Sequence, residues 1–182
     1  MIDAYKLKKE IEIPEGVEVT LEGRTLIVKK GSNELKRSLY HPTIEILKEG
    51  QNIVLNPKKF SKREKKIINT YTAHIKSMFV GVVEPFVYKV KICSSHFPMN
   101  VSTKDNKVII KNFFGEKIPR VAHIVEGSQL KIEGDVIIIT SPNKEAAGQT
   151  AANCEKATKI TNRDRRVFQD GLWIVEKAGK EL

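Results

Sequence analysis

The sequence predicts an α+β protein of two tandem, structurally similar domains, each a small antiparallel β-sheet covered by one α-helix. One observation behind this is that, in each half, apolar residues alternate as in strands and then recur at helical spacing. The other is a set of landmarks repeated at a constant distance. The pairs, each 84 residues apart, are Val17 and Val101, Gly31 and Gly115, and Glu49 and Glu133. This offset indicates an internal duplication, with domains at 1–83 and 84–182.

In the first half, short strands separated by turns come before any helix. The strands are predicted at 17–21, 25–28, 35–39, 44–47 and 53–55. Ser61 and Glu64 then form a capping box, which predicts the start of a helix. Apolar residues recur at helical spacing as far as Gly81, where we expect this helix to end.

The second half repeats this order. A strand is predicted at 86–92 and another at 136–139, and a helix is predicted from about Lys144 to Lys159. The apolar face of this helix is thin, with Ala147, Ala151 and Cys154, and the helix contains Gly148. The apolar run 172–175 predicts a closing strand.

Charge indicates the class of partner. The 182 residues carry a formal net charge of +10, and the sequence pI is about 9.5. A chain this basic attracts polyanions, so nucleic acid and anionic membranes are the first candidates. No apolar run approaches the roughly 20 residues that span a bilayer, and the N-terminus lacks a signal-peptide pattern. We therefore expect a cytoplasmic protein with no membrane partner.

The sequence contains no readable enzymatic or metal-binding signature. Phosphate-binding loops, zinc-protease motifs and nucleophile elbows are absent. Cys93 and Cys154 lie far apart, and the four histidines lack metal-ligand spacing. His96 is expected to be a surface or interface residue. We expect neither catalysis nor a cofactor.

The closing stretch 163–177 combines three arginines, two aromatic residues and a turn signal. Asp170 and Gly171 predict a tight reversal in front of the closing strand, so the arginines are expected to be held on ordered backbone. Guanidinium groups beside Phe168 and Trp173 suit phosphate binding, with the rings stacking on bases or ribose. The alternative is that both rings anchor an edge strand and the arginines form a solvated face.

Two further clusters of basic residues are present. In the connection 111–120, Phe113 and Phe114 are adjacent, and in an extended segment they cannot both face one core, so one is expected to face a partner. The other cluster surrounds the start of the first helix and consists of Lys58, Lys59, Lys62, Arg63, Lys65 and Lys66. It is either a solvated face or a phosphate contact, because positive charge there is unfavourable to the helix dipole.

Four segments carry a resemblance to a known family. They are 23–29, 96–101, 111–117 and 162–177, and the last contains the pattern Arg-x-Phe-x-Asp-Gly-Leu-Trp-Ile from Arg166 to Ile174. With them the chain resembles, along nearly its whole length, the ribosomal large-subunit protein L-six family, in the archaeal and eukaryotic branch whose eukaryotic member is called L-nine. The first-half turn departs from the pattern, because Gly31, Ser32, Asn33 and Glu34 stand where a basic turn is common.

The resemblance implies a structural, non-catalytic protein. Members bind large-subunit rRNA near the sarcin-ricin loop and the stalk base, beside other large-subunit ribosomal proteins and close to where translation factors dock. Most of the RNA contact is expected in the second domain. The RNA-binding residues implied are Lys111, Asn112, Phe114, Lys117, Arg120, Arg163, Arg165, Arg166, Phe168, Trp173 and Lys177. The alternative function is a non-ribosomal protein-interaction or general RNA-binding module.

Overall fold

The computed structural model describes residues 7–59 and 61–182. Residues 1–6, where the sequence shows no signal-peptide pattern, lie outside the described part, as does Phe60. The chain divides into two compact units, Met1–Glu84 and Pro85–Leu182. In its described residues, each unit combines antiparallel sheets with one long α-helix, which confirms the predicted α+β class.

The first unit contains two three-stranded antiparallel sheets, ordered β1-β6-β5 and β2-β3-β4. The strands are β1 (Lys9–Glu12), β2 (Glu18–Glu22), β3 (Thr25–Lys30), β4 (Asn33–Ser38), β5 (Ile44–Glu49) and β6 (Asn52–Pro57). The central strands carry the apolar runs 26–28 and 53–55, whose residues are at most 6% exposed. The strands predicted in this half are thus shared between two sheets.

Helix α1 (Lys62–Val83) packs on the core of the first unit. Its predicted start is confirmed, because Ser61 Oγ accepts a hydrogen bond from the Arg63 amide at 3.1 Å. Its predicted end is wrong. Gly81 is a buried residue inside the helix, which continues to Val83. The helix stops there because Pro85 disfavours helical backbone at Glu84, which is extended.

The second unit contains a five-stranded sheet, ordered β11-β12-β7-β13-β14, and a three-stranded sheet, ordered β10-β9-β8. The strands are β7 (Phe86–Cys93), β8 (Asn100–Lys104), β9 (Lys107–Lys111), β10 (Arg120–His123), β11 (Gln129–Glu133), β12 (Val136–Ser141), β13 (Gly171–Lys177) and β14 (Lys180–Glu181). The closing strand β13 pairs with β7 on one side and β14 on the other. Strand β14 pairs only with Glu176 and Lys177, so residues 171–174 of β13 pair on one side alone and form an edge of the sheet, as the edge-strand alternative expects.

Helix α2 (Lys144–Ala157) begins after Asn143, whose Oδ1 accepts a hydrogen bond from the Glu145 amide at 3.0 Å. It contacts β7, β10, β12 and β13. The helix ends two residues before the predicted Lys159. Both of its bounds therefore lie close to those expected from the sequence.

Small residues let α2 lie close to its neighbours. Ala147 and Ala151 are fully buried, and a Cβ on Gly148 would lie only 3.3 Å from the Tyr88 hydroxyl oxygen. Cys154 is fully buried on the same side, and burial raises the pKa of its thiol to about 11. This cysteine therefore stays protonated and acts as a small apolar core residue.

Candidate RNA-binding surface

A buried carboxylate joins two distant loops of the second unit. Asp170 is 3% exposed, and its oxygens accept hydrogen bonds from the amides of Ser95 at 2.9 Å and His96 at 3.0 Å. The Ser95 hydroxyl also donates to it, and His96 Nδ1 lies 3.1 Å away. Burial alone raises the pKa of Asp170, but these hydrogen bonds outweigh burial and hold the pKa well below its usual range. The ionised carboxylate thus fixes the loop before β8 against the loop before β13.

The predicted tight reversal at Asp170 and Gly171 is wrong. Gly171 is the first residue of β13 and has a φ of 151°. The residue before it, Asp170, holds the loop at Ser95, about 75 residues earlier in the chain. A Cβ on Gly171 would lie 3.2 Å from Thr158 Oγ1, which accepts a hydrogen bond from the Leu172 amide. The glycine therefore allows the end of α2 to approach the start of β13.

The aromatic pair after β9 lies on a short 3-10 helix (Phe113–Gly115) and not on an extended segment. Phe113 is the inward ring, 2% exposed, whereas Phe114 is half-buried. Asn112 and Phe114 have φ of 60° and 49°. The Asn112 side chain donates a hydrogen bond to the Pro98 carbonyl at 2.9 Å. Asn112 thus ties this turn to the loop that Asp170 anchors.

Phe114 meets the two other loops through its ring. The centroids of Phe114 and Phe168 are 5.8 Å apart, edge to face. His96 stacks on Phe168 at 5.1 Å and lies 6.0 Å from Phe114. Three loops separated in sequence therefore converge at one aromatic cluster.

The arginines of the closing stretch lie on these rings. The Arg163 guanidinium is 5.0 Å from the centroids of both Phe114 and Phe168, and that of Arg165 is 5.2 Å from Trp173. The indole of Trp173 is fixed by a hydrogen bond from Nε1 to the Gln169 carbonyl at 2.9 Å. Cation–π contact holds both guanidinium groups in place while they remain exposed. The expectation that the arginines of the closing stretch are held in place is thus confirmed for Arg163 and Arg165.

Arg166 is held differently. Its guanidinium donates to the Asp164 carboxylate at 2.8 Å, and its side chain is 89% exposed. The hydrogen bonds between the two side chains lower the pKa of Asp164 and raise that of Arg166. We call the six residues Phe114, Arg163, Arg165, Arg166, Phe168 and Trp173 the arginine–aromatic surface.

An open groove of about 640 Å³ borders this surface. Its lining includes Arg165, Arg166 and Trp173 together with Ser95 and the ionised Asp170. The two guanidinium groups suit an anionic group such as phosphate at the outer part of the groove, while Asp170 is already satisfied by its hydrogen bonds from Ser95 and His96.

Arg120 has a different environment from the other predicted site residues. Its guanidinium donates to Glu116 at 2.6 and 2.7 Å and to the carbonyls of Ala157 and Lys159 at 3.0 and 3.1 Å. It also lies 4.3 Å from the Phe113 ring centroid. This network links β10 to the end of α2, so the geometry favours a positioning role for Arg120.

The predicted lysines are exposed but do not all lie together. Lys111 ends β9, next to Asn112, and Lys117 lies in the loop before β10. Lys177 pairs with Lys180 at the C-terminal end of β13. It lies four residues beyond Trp173, about 13 Å along the strand at roughly 3.3 Å per residue. The structure therefore does not bring Lys177 to the arginine–aromatic surface.

Comparison with known proteins gives the family of this chain. The family model described as Ribosomal protein L6 matches residues 13–84 and again residues 97–171. The chain belongs to the ribosomal protein L6 family. Its two matched stretches start 84 residues apart, at 13 and 97, which is the offset read from the landmarks. The L6 family match therefore confirms the predicted internal duplication.

A full-length relative agrees with this assignment to the L6 family. The chain is 48% identical over 179 residues to "Large ribosomal subunit protein uL6" of Methanococcus vannielii, and the alignment covers 98% of both chains. The resemblance inferred from the sequence is thereby confirmed. A member of the L6 family is a ribosomal protein and not an enzyme.

The described part of this L6 family chain contains neither a group of metal-ligating side chains nor a helix that could span a membrane. Within residues 7–59 and 61–182, no three His, Cys, Asp or Glu side chains are grouped as metal ligands require. Across the same residues, no helix has the length and apolar character needed to cross a membrane.

Sequence reasoning missed the centre of the site. The sequence predicts His96 only as a surface or interface residue and gives no signal for Ser95. The interaction that unites them with Asp170 joins residues 74 and 75 positions apart, which no local pattern indicates. A signal was present, since His96 and Asp170 both fall in segments that carry the resemblance to the L6 family.

Proposed function

We propose that this chain is a structural constituent of the large ribosomal subunit in the cytoplasm and that it binds large-subunit rRNA through the arginine–aromatic surface of its second unit. The observation that carries the proposal is the fixed placement of Arg163 and Arg165 on aromatic rings, in a member of the ribosomal protein L6 family. Such guanidinium groups lose little conformational freedom when they bind phosphate.

The contact is to shape and phosphate more than to base sequence. The faces of Phe114 and Phe168 already hold Arg163 and His96, so they serve to orient the guanidinium groups. Phosphate contacts position a protein on RNA without reading its sequence. Arg166 can exchange Asp164 for phosphate at small cost, because both side chains are exposed and water weakens their attraction.

Of the remaining predicted residues, some contact phosphate directly and others position the residues that do. Lys111 and Lys117, exposed near the turn that carries Phe114, add phosphate contacts. Asn112 and Arg120 position that turn and β10 through their hydrogen bonds. Lys177, at the other end of β13, contacts a separate part of the rRNA. Within the subunit, the bound rRNA lies near the sarcin-ricin loop and the stalk base, beside neighbouring ribosomal proteins and close to docked translation factors.

The test is a triple substitution, Arg163→Ala, Arg165→Ala and Arg166→Ala, in the full chain. Binding to protein-free large-subunit rRNA is measured over a range of salt concentrations. Each lost phosphate contact makes the slope of log affinity against log salt shallower by about 0.7–0.9, so we expect a change of about 2 and weaker binding throughout. Hydroxyl-radical probing of the same complexes should show protection around the sarcin-ricin loop that the variant loses.

A matched control removes equal charge from the same unit. Lys104, Lys107 and Lys131 are exposed and lie in β8, β9 and β11. Their replacement by alanine should change affinity and slope much less than the arginine variant does. Equal effects in the two variants would mean that net charge, and not the arginine–aromatic surface, determines binding.

A further inference from the structure

A second strongly basic surface lies in the first unit, where β6 leads into α1. We call it the basic corner, and it consists of Lys58, Lys59, Lys62, Arg63, Lys65 and Lys66. All six side chains are exposed. Residues 1–84 contain 16 lysines and arginines and 11 acidic residues, and the segment 58–66 contains six of the former and one of the latter. The corner therefore accounts for the whole positive excess of the first unit.

The corner is not neutralised from within the described part of the unit. Among described residues, no ion pair involves any of its six basic side chains. The one acidic residue in the segment, Glu64, is 5% exposed and faces inward. It accepts hydrogen bonds from the Ser61 hydroxyl and from Thr43 Oγ1, the latter at 3.1 Å. Glu64 thus serves the helix cap and leaves the surface charge uncompensated.

Fold stability does not explain these residues. Positive charge in the first turn of a helix opposes the helix dipole. The second unit shows that this fold does not require a run of positive charge at the start of its helix. Helix α2 is capped by Asn143 in the same way as α1 is capped by Ser61, yet its first turn reads Lys144, Glu145, Ala146 and Ala147. The basic corner is a property of one of two similarly folded units.

We infer that the basic corner is a second contact to the phosphate backbone of large-subunit rRNA, separate from the arginine–aromatic surface. This inference rests on the proposed function for the identity of the RNA. Lysine ammonium groups on flexible stems bind phosphates as point charges and read no sequence. Lys62 and Lys66 are four residues apart, one helical turn, so they present their charges along one exposed line.

An anionic membrane fits the corner less well. A helix that lies in a membrane interface needs an exposed apolar face. The apolar face of α1 is committed to the core of its own unit, where Ile68 and Ile75 are at most 1% exposed. The described side chains that the corner itself exposes are charged, and polyanionic RNA matches them.

The test replaces Lys62, Lys65 and Lys66 with glutamine in the full chain. The control replaces Lys9, Lys36 and Lys76, which are exposed lysines elsewhere in the same unit. Affinity for protein-free large-subunit rRNA is measured against salt concentration. We expect the corner variant to bind about tenfold more weakly than the control variant, with a slope shallower by about 2. Its melting temperature should be equal to or above that of the unchanged chain, because charges unfavourable to the dipole are removed.

Hydroxyl-radical probing locates the contact. The corner variant should lose protection at nucleotides different from those exposed by the triple arginine variant. A corner variant that matches its control in affinity, while the arginine variant binds weakly, overturns this inference and leaves the proposed function standing. If the corner variant and the arginine variant both bind like their controls, the proposed function fails as well.

Discussion

At the scale of single residues, Asp170 determines where the arginines lie. Its buried carboxylate receives hydrogen bonds from Ser95 and His96, and His96 in turn stacks on Phe168. Phe168 and Phe114 then support Arg163. A buried carboxylate thus sets the geometry of the residues that we propose bind RNA.

Replacing Asp170 with asparagine should destabilise the second unit by about 2 kcal/mol at neutral pH, because an amide cannot accept all the hydrogen bonds that the carboxylate receives. The pKa of Asp170 is depressed in the folded chain. The charged form therefore contributes stability above about pH 4, and that contribution is lost as pH falls through the folded-state pKa. Urea unfolding at pH 7 and in acid measures this, and the difference between the two chains should narrow in acid.

Asp164→Asn is the matched control for this change. Asp164 is exposed, and among the described residues its carboxylate accepts hydrogen bonds from Arg166 alone, through the backbone amide and the guanidinium. We expect little loss of stability from it. Equal loss from both substitutions would contradict an anchoring role for Asp170.

At the scale of elements, the sequence predicts helix starts better than it predicts helix ends and loops. The start of α1 follows from Ser61 and Glu64, which are close in sequence. The sequence predicts the end of α1 at Gly81, but Gly81 is a buried position inside the helix, and Pro85 causes the helix to end after Val83. The loop before β13 could not be predicted at all, because its shape depends on Ser95 and His96, far along the chain.

Ser61→Ala should lower the stability of the first unit by about 1 kcal/mol, the usual cost of losing a helix cap. The amide of Arg63 loses its acceptor, and Glu64 loses a donor to its buried carboxylate. Thermal unfolding followed by circular dichroism measures the change. Ser61→Thr, which keeps a hydroxyl group, is the control and should cost less. An alanine variant as stable as the threonine variant would contradict the capping geometry.

At the scale of the whole molecule, duplication produced two units of like fold with different surfaces. The sequence predicts the duplication because turn and strand residues recur at a constant distance of 84 residues, beginning with Val17 and Val101. The surfaces of the two units could be predicted from the sequence only in part. Arginines and aromatics clustered in the closing stretch, but the contribution of His96 and the structural use of Arg120 depend on tertiary contacts. Basic excess is equal in the two units, five charges each, so net charge alone does not single out the second unit.

The measurement that tests the central claim most directly is sedimentation of the tagged chain from cell lysate through a sucrose gradient, in moderate and high salt, with and without ribonuclease. The account predicts that the chain migrates with the large subunit and with joined ribosomes, and that ribonuclease releases it. Migration only as a small free species that ribonuclease does not affect would contradict the account and favour a non-ribosomal protein-interaction module.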